Sequence, residues 1–165
     1  MTQPLRDVAF GDLAAELAIT RRVLERLPED HLGWAPHEKS KTLGSLGAHV
    51  ALLPAMLAAM LTTDEFDVAA PRPPAPQTAG AILAAFDQTS AALAAAVAAA
   101  SDEDLAGTWT LRSGPRVITS GTRAANLRTL GLSHMAHHRG QLTVYLRLLD
   151  VPVPSVYGPS ADEGR

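Results

Sequence analysis

The stretch Ser133-His134-Met135-Ala136-His137-His138-Arg139-Gly140-Gln141 decides how this chain is read. His134 and His138 stand one helical turn apart, so on a helix both rings rise from the same face and can converge on one metal ion. Around them Leu127, Leu130, Gly131, His134, His138, Gln141, Tyr145 and Leu148 recur mostly every three or four residues, the pattern of a helical stripe turned toward a core. Ionisable rings in such a stripe must be hydrogen-bonded or coordinated, which sets a metal site against buried structural histidines. Two imidazoles rarely complete a stable site, so a third ligand is expected from another helix.

His49 is the candidate. Ser40 or Thr42 can cap a helix in which Leu46, His49, Leu53, Met56 and Met60 recur at helical spacing, and His49 interrupts that apolar stripe as His134 and His138 interrupt theirs. Pro54 removes the hydrogen bond to Val50, and a bend there would help to aim the His49 ring.

Outward from these two segments the chain divides into further helical patterns. A first helix is expected from about Leu5 to Leu27, with Phe10, Leu13, Leu17, Leu24 and Leu27 on one side and Thr20 returning its hydroxyl to the preceding turn. Pro28-Glu29-Asp30 stops it, and Trp34 and Pro36 suggest an ordered connection over a bundle end. The run Pro71-Arg72-Pro73-Pro74-Ala75-Pro76 is too poor in backbone donors for helix and reads as an extended crossover. A third helix begins near Thr78 and buries Ile82, Phe86, Ser90, Leu93 and Val97. Between Gly107 and Thr119, Trp109, Leu111, Val117 and Ile118 flank Arg112-Ser113-Gly114-Pro115, a short hairpin or extended excursion in which Trp109 serves as a packing plug rather than a pocket wall. Ser120 can cap a last helix reaching about Leu149, ended by Val151-Pro152-Val153-Pro154, with Tyr157 and the polar tail returning along the surface or over the bundle end.

The expected fold is therefore all-α, a four-helix bundle in a single domain over residues 1–165, with a long connection and a short extended excursion before the last helix. The chain has no cysteine, which excludes disulfides, a cysteine nucleophile and thiolate ligands, so any metal is held by nitrogen and oxygen. A formal charge of -3 argues against a broad nucleic-acid footprint. The first residues do not resemble a secretory signal and the alanine-rich runs are interrupted by polar residues, so a cytoplasmic chain with no membrane span is expected.

His49 with its Leu-Gly-containing approach, together with the final His-His-Arg-Gly-Gln run, resembles the DinB and YfiT-like family of small bacterial helical proteins, and the resemblance extends over nearly the whole chain. It implies an up-down-down-up bundle, usually a homodimer, with a divalent metal held by residues corresponding to His49, His134 and His138. It also implies chemistry of several kinds, since the superfamily includes transferases and isomerases that use low-molecular-weight thiols such as bacillithiol or mycothiol.

Three imidazoles suit zinc or nickel first, manganese or iron second, and leave positions open for an exogenous ligand. A thiol-dependent S-transferase acting on an electrophilic substrate is the leading expectation. The alternatives are a metal-dependent hydrolase and a non-catalytic structural or stress-response binding protein. His137, about 100° around the helix from His138, is expected at the surface or behind the ligands. Arg139 and Gln141 could position a polar substrate or support the bundle, and Tyr145 is expected to pack. His31 and His37 are read as surface residues, and Glu16 and Asp12 as exposed or supporting carboxylates outside the metal set.

Overall fold

The structure, a computed structural model, describes residues 4–164. Its helices are α1 (Leu5–Phe10), α2 (Leu13–Leu24), α3 (Leu43–Thr62), α4 (Ala79–Ala99), α5 (Asp102–Ala106), α6 (Arg123–Asn126) and α7 (His134–Leu148). Its strands are β1 (Glu65–Asp67), β2 (Thr108–Ser113) and β3 (Arg116–Thr122). Helices α2, α3, α4 and α7 form an all-α bundle: α3 packs on α4 and α7, and α2 on the same two neighbours.

The first helix is two helices. Gly11 and Asp12 leave the helical ladder, a glycine being a poor helix former and the Asp12 carboxylate being engaged at 2.7 and 2.9 Å by Arg128 of the last helical segment. The second piece stops at Leu24 rather than Leu27, the chain tightening through Arg26 N–H to Val23 O and Leu27 N–H to Leu24 O before Pro28. Thr42 caps α3 by accepting from Ser45 N–H, and Thr78 caps α4 by accepting from Ala81 N–H. Pro54 lies inside an unbroken α3, and nearby the Thr89 hydroxyl of α4 donates to Ala51 O at 2.7 Å. Residues 63–78 form the crossover between these two helices.

The excursion before the last helix is a hairpin, β2 antiparallel to β3, with β1 added in parallel on the other side of β2. Gly114 takes a φ of 55 at the first loop position, a conformation glycine adopts freely, and Pro115 supplies the fixed φ of the second. The strand β1 was not anticipated; it is three residues long and is held by β2 and by the Asp67 carboxylate, which accepts from Gly114 N–H at 3.0 Å. Trp109 is fully buried, the expected plug.

The last helix starts two residues later than Ser120, which lies in β3; Thr122 is the cap and accepts from Ala125 N–H. Between α6 and α7 the chain passes through a π-helical stretch, Leu127–Ser133, that feeds directly into His134. The buried face of this helix is Leu127, Gly131, Leu132, Met135, Arg139, Leu142, Tyr145 and Leu146, so His134 and His138 sit on the flank of the core and Leu148, expected inside, is exposed. Asp150 at φ 56 ends α7, with Val151 N–H bonded back to Leu146 O. Arg123 ties the start of this segment to the end of α3: its Nε donates to Met60 O at 2.9 Å and its guanidinium pairs with Asp64 at 2.6 Å.

The apolarity of α3 and α4 exceeds what was expected from the sequence. Each is long and apolar enough to cross a membrane by length and composition, α3 being mostly buried in the bundle and α4 much less so.

Gly131 fixes the contact between α3 and the π-helical stretch. A Cβ there would overlap a methyl of Leu57 and stand 3.0 Å from its Cγ, and Leu57 is itself fully buried. Gly131→Ala is expected to destabilise the protein by about 1–3 kcal/mol through overpacking, read as a lowered urea midpoint; an unchanged midpoint would show that Leu57 has room to move.

Candidate metal centre

Each of the three sequence-predicted ligands reaches the site from a different constraint. Cap and periodicity place His49 near the first third of α3, facing α7; the π-helical stretch sets the start of α7 and so the level of His134; one turn on, His138 follows. One nitrogen from each of His49, His134 and His138 lies within 4.8 Å of the others, and all three rings are half-buried. The ring centroids stand 5.2, 4.6 and 4.5 Å apart.

The donor chemistry fits a divalent ion. His134 Nδ1 lies 3.2 Å from Leu130 O, and because a carbonyl only accepts, the proton belongs on Nδ1 and the Nε2 lone pair is free. His138 Nδ1 lies 2.7 Å from Gln141 Oε1, which fixes that ring in the same sense. The two Nε2 atoms are 2.7 Å apart, a separation that suits a proton shared by them or a cation bound by both from one side of the line that joins them. Burial lowers His49 from 6.5 to about 4, reinforced by His138 and His134 and by the cations Lys41 and Arg72. Burial likewise lowers His138, with the Gln141 hydrogen bond opposing. Both rings are thereby kept neutral, as ligation requires.

No carboxylate joins the cluster among the described residues. Asp12 pairs with Arg128 at the surface. Glu16, expected to be exposed or supporting the ligands, is instead buried and bonded to Arg139, which is 1 % exposed. Arg139 donates to Glu16 Oε2 at 2.8 Å, to Glu16 O at 3.1 Å and to the Thr20 hydroxyl at 2.9 Å, and it also meets the Tyr157 hydroxyl. Arg139 is thus a bundle residue turned away from the histidines. The Thr20 hydroxyl donates to Glu16 O as expected. Tyr145 packs edge-on against Trp34, with its hydroxyl 3.3 Å from Lys41 O. His137 is exposed, its ring 4.9 Å from that of His138, and His31 and His37 are exposed in the connection before α3.

One feature beside the cluster had no signal in the sequence. A cleft of about 1030 Å³ opens over α3 beside His49, walled by Leu32 and Gly33, by Lys41 to Met56 along one face of α3, by Phe66, and by the crossover from Arg72 to Gln77. Its cations precede a helix cap or stand between prolines, positions that look like ordinary solvent-facing connections.

The profile of the DinB family matches residues 1–165. The chain is 28 % identical over 152 residues to the uncharacterized protein YrdA of Bacillus subtilis strain 168, covering 90 % of this chain and 85 % of that one. It is similar in fold to a DinB-like protein from Bacillus cereus ATCC 10987, with a TM-score of 0.70, 22 % identity and coverage of 90 % of this chain and 95 % of that one. A second fold match is the DinB-like protein YjoA of Bacillus subtilis, with a TM-score of 0.71, 18 % identity and coverage of 92 % and 99 %.

Two outcomes are expected of this arrangement. The unfolded chain protonates His49 near 6.5 while the native, metal-free chain resists protonation to about 4. The stability contributed by burying neutral His49 is therefore complete above pH 6.5 and is lost as pH falls from 6.5 toward 4. In chelator-treated protein, urea midpoints measured from pH 7 to 4.5 should fall less steeply for His49→Leu than for the natural chain; parallel profiles would remove this account. Arg139→Met should cost about 3–5 kcal/mol by leaving Glu16 buried without its partner, whereas Arg128→Met, at an exposed pair, should cost about 1 kcal/mol or less; equal losses in denaturant titration would show that burial does not set the difference.

Proposed function

The chain belongs to the DinB family, and on that premise we propose that it is a metal-dependent enzyme that transfers an exogenous low-molecular-weight thiol to an electrophilic substrate. His49, His134 and His138 would hold the ion, zinc or nickel in preference to manganese or iron. The observation that carries this reading is the joint position of His49, which belongs to the three-nitrogen cluster and also borders the large cleft, with no fourth protein ligand among the described residues. A site that served structure alone would normally be closed by a fourth side chain. When bound, a divalent ion supplies Lewis acidity that favours the thiolate form of a sulfhydryl at neutral pH.

The rest of the chemistry falls to the chain's own groups. Leu130 O and Gln141 Oε1 orient the two α7 rings so that their Nε2 atoms face the shared point. Leu52, Leu53 and Met56 line the approach with apolar surface and limit water beside the reacting groups. The nucleophilic sulfur must come from outside, since the chain has no cysteine.

This reading treats the chain as a single cytoplasmic domain working as a homodimer, for which the exposed Val144 and Leu148 on α7 offer apolar contact surface. It takes the bundle as up-down-down-up. Gly47 beside Ile82 and Ala51 beside Thr89 support a parallel α3 and α4. Asp12 with Arg128 and Thr20 with Arg139 support a parallel first and last helix, and Leu57 against Gly131 with His49 against His138 supports an antiparallel α3 and α7.

Elemental analysis of the purified chain should find about one divalent ion per chain, lost in His49→Ala and His134→Ala; unchanged binding in both variants would sink the ligand assignment. Metal-replete protein offered bacillithiol or mycothiol with a panel of electrophiles should then yield thiol adducts by mass spectrometry. Metal-dependent hydrolysis products without adducts would move the assignment to a hydrolase, and no turnover of either kind would leave a binding protein.

A further inference from the structure

The distribution of charge around His49 differs from that of the rest of the molecule. Nine arginines have a carboxylate oxygen within 4.0 Å, among them Arg21, Arg123, Arg128 and Arg147 on the helices. Among the described residues Lys39, Lys41, Arg72 and Arg116 lack such a partner, and two of these four, Lys41 and Arg72, line the cleft. The cleft wall contains no aspartate or glutamate, although the chain as a whole carries a charge of -3. A concave wall with cations of one sign and low-dielectric surroundings concentrates anions.

The other wall residues set the ligand's body. Leu52 is 39 % exposed on a helix whose other large apolar residues are mostly buried, and it lines the cleft together with Met56 and Phe66. Arg72 is held with its guanidinium carbon 4.8 Å over the Phe66 ring and one N–H on Val68 O, which leaves further donors of its five for a ligand. The first amides of α3 are already used, Leu43 N–H by Trp34 O, Gly44 N–H by Leu32 O and Ser45 N–H by Thr42. An anion entering here is therefore met by the two side chains rather than by the helix end.

We propose that this cleft binds a small apolar carboxylate, its charged end at Lys41 and Arg72 and its body over Leu52, Met56 and Phe66, in a cavity that His49 also lines. This names the class of the electrophilic substrate and so rests on the transferase reading above. Apolar area predominates in the wall and the volume suits a drug-sized molecule.

Calorimetry with decanoate as the probe tests it, on metal-replete and on chelator-treated full-length protein, so that binding to an ion is separated from binding to the cleft. Decanoate should bind saturably to both forms, with decanol and acetate each weaker by roughly tenfold or more. The double variant Lys41→Gln, Arg72→Gln should lose decanoate affinity by a similar factor and flatten its salt dependence, while Arg116→Gln, in β3 and outside the cleft, changes neither. Leu52→Asn provides a separate loss through the apolar wall. Equal binding of decanol and decanoate, retention by the double variant, or no saturable binding would overturn the proposal. His134→Ala keeps the two readings apart: metal retained with decanoate binding intact defeats the metal assignment alone, and metal lost as expected with no decanoate binding to the variant or to the chelator-treated natural chain defeats the cleft assignment alone.

Discussion

The seating of Leu57 over Gly131 sets the register between α3 and the last helical segment, and the histidine cluster depends on that register. His49 comes from one helix and His134 and His138 from the other, so their nitrogens lie within 4.8 Å of one another only if the two helices meet at one level. A slip of one turn would shift that level by about 5.4 Å and separate the groups entirely. Glycine admits the closest approach at the point where the helix is locally π-wound, and Arg123 fastens the same pair at the end of α3 through Met60 O. The two ties lie on the same side of the histidines, toward the C-terminal end of α3.

The cluster was legible in the sequence because each member interrupts an apolar helical pattern. His49, His134 and His138 are the polar residues that such a pattern does not tolerate without a partner. The Thr42 cap, read as one of two candidates, the start of a helix near Thr78, the proline crossover and the hairpin were legible through local chemistry acting over a few residues. What was not legible depends on contacts between distant segments. The break at Gly11 and Asp12 is stabilised by Arg128, and β1 exists by pairing with β2. The π-helical stretch changes the hydrogen-bond step without a distinct composition, and it is the reason the buried face of α7 is rotated from the expected stripe toward Met135, Arg139 and Leu142.

That rotation separates the two roles in His-His-Arg-Gly-Gln. One residue advances a helix by about 100°, so His138 and Gln141 share the flank of the histidine cluster while Arg139 turns into the bundle. Desolvating a guanidinium is costly unless its donors are used. Here Glu16 and Thr20 of α2 and Tyr157 of the C-terminal segment use them. The motif is thus one turn of helix with two dependent halves: its outer half holds a histidine of the cluster and the group that orients it, and its inner half fixes α7 against α2, so that the outer half keeps its direction.

The same division appears in the electrostatics. Cations that hold the fold, such as Arg123, Arg128, Arg139 and Arg147, are neutralised by carboxylates, whereas Lys41 and Arg72 leave their fields directed at the cleft and at His49. Those fields help to keep His49 neutral, which reduces competition from protons for its lone pair. They also oppose a divalent cation. An anion drawn into the cleft offsets that opposition, and by linkage whatever the anion does for the ion the ion does equally for the anion. A three-imidazole centre carries no negative charge of its own to balance a divalent ion. In this chain, with an ion held by the cluster, the balance would fall to what enters from solvent, and the uncompensated cations beside His49 favour that being an anion.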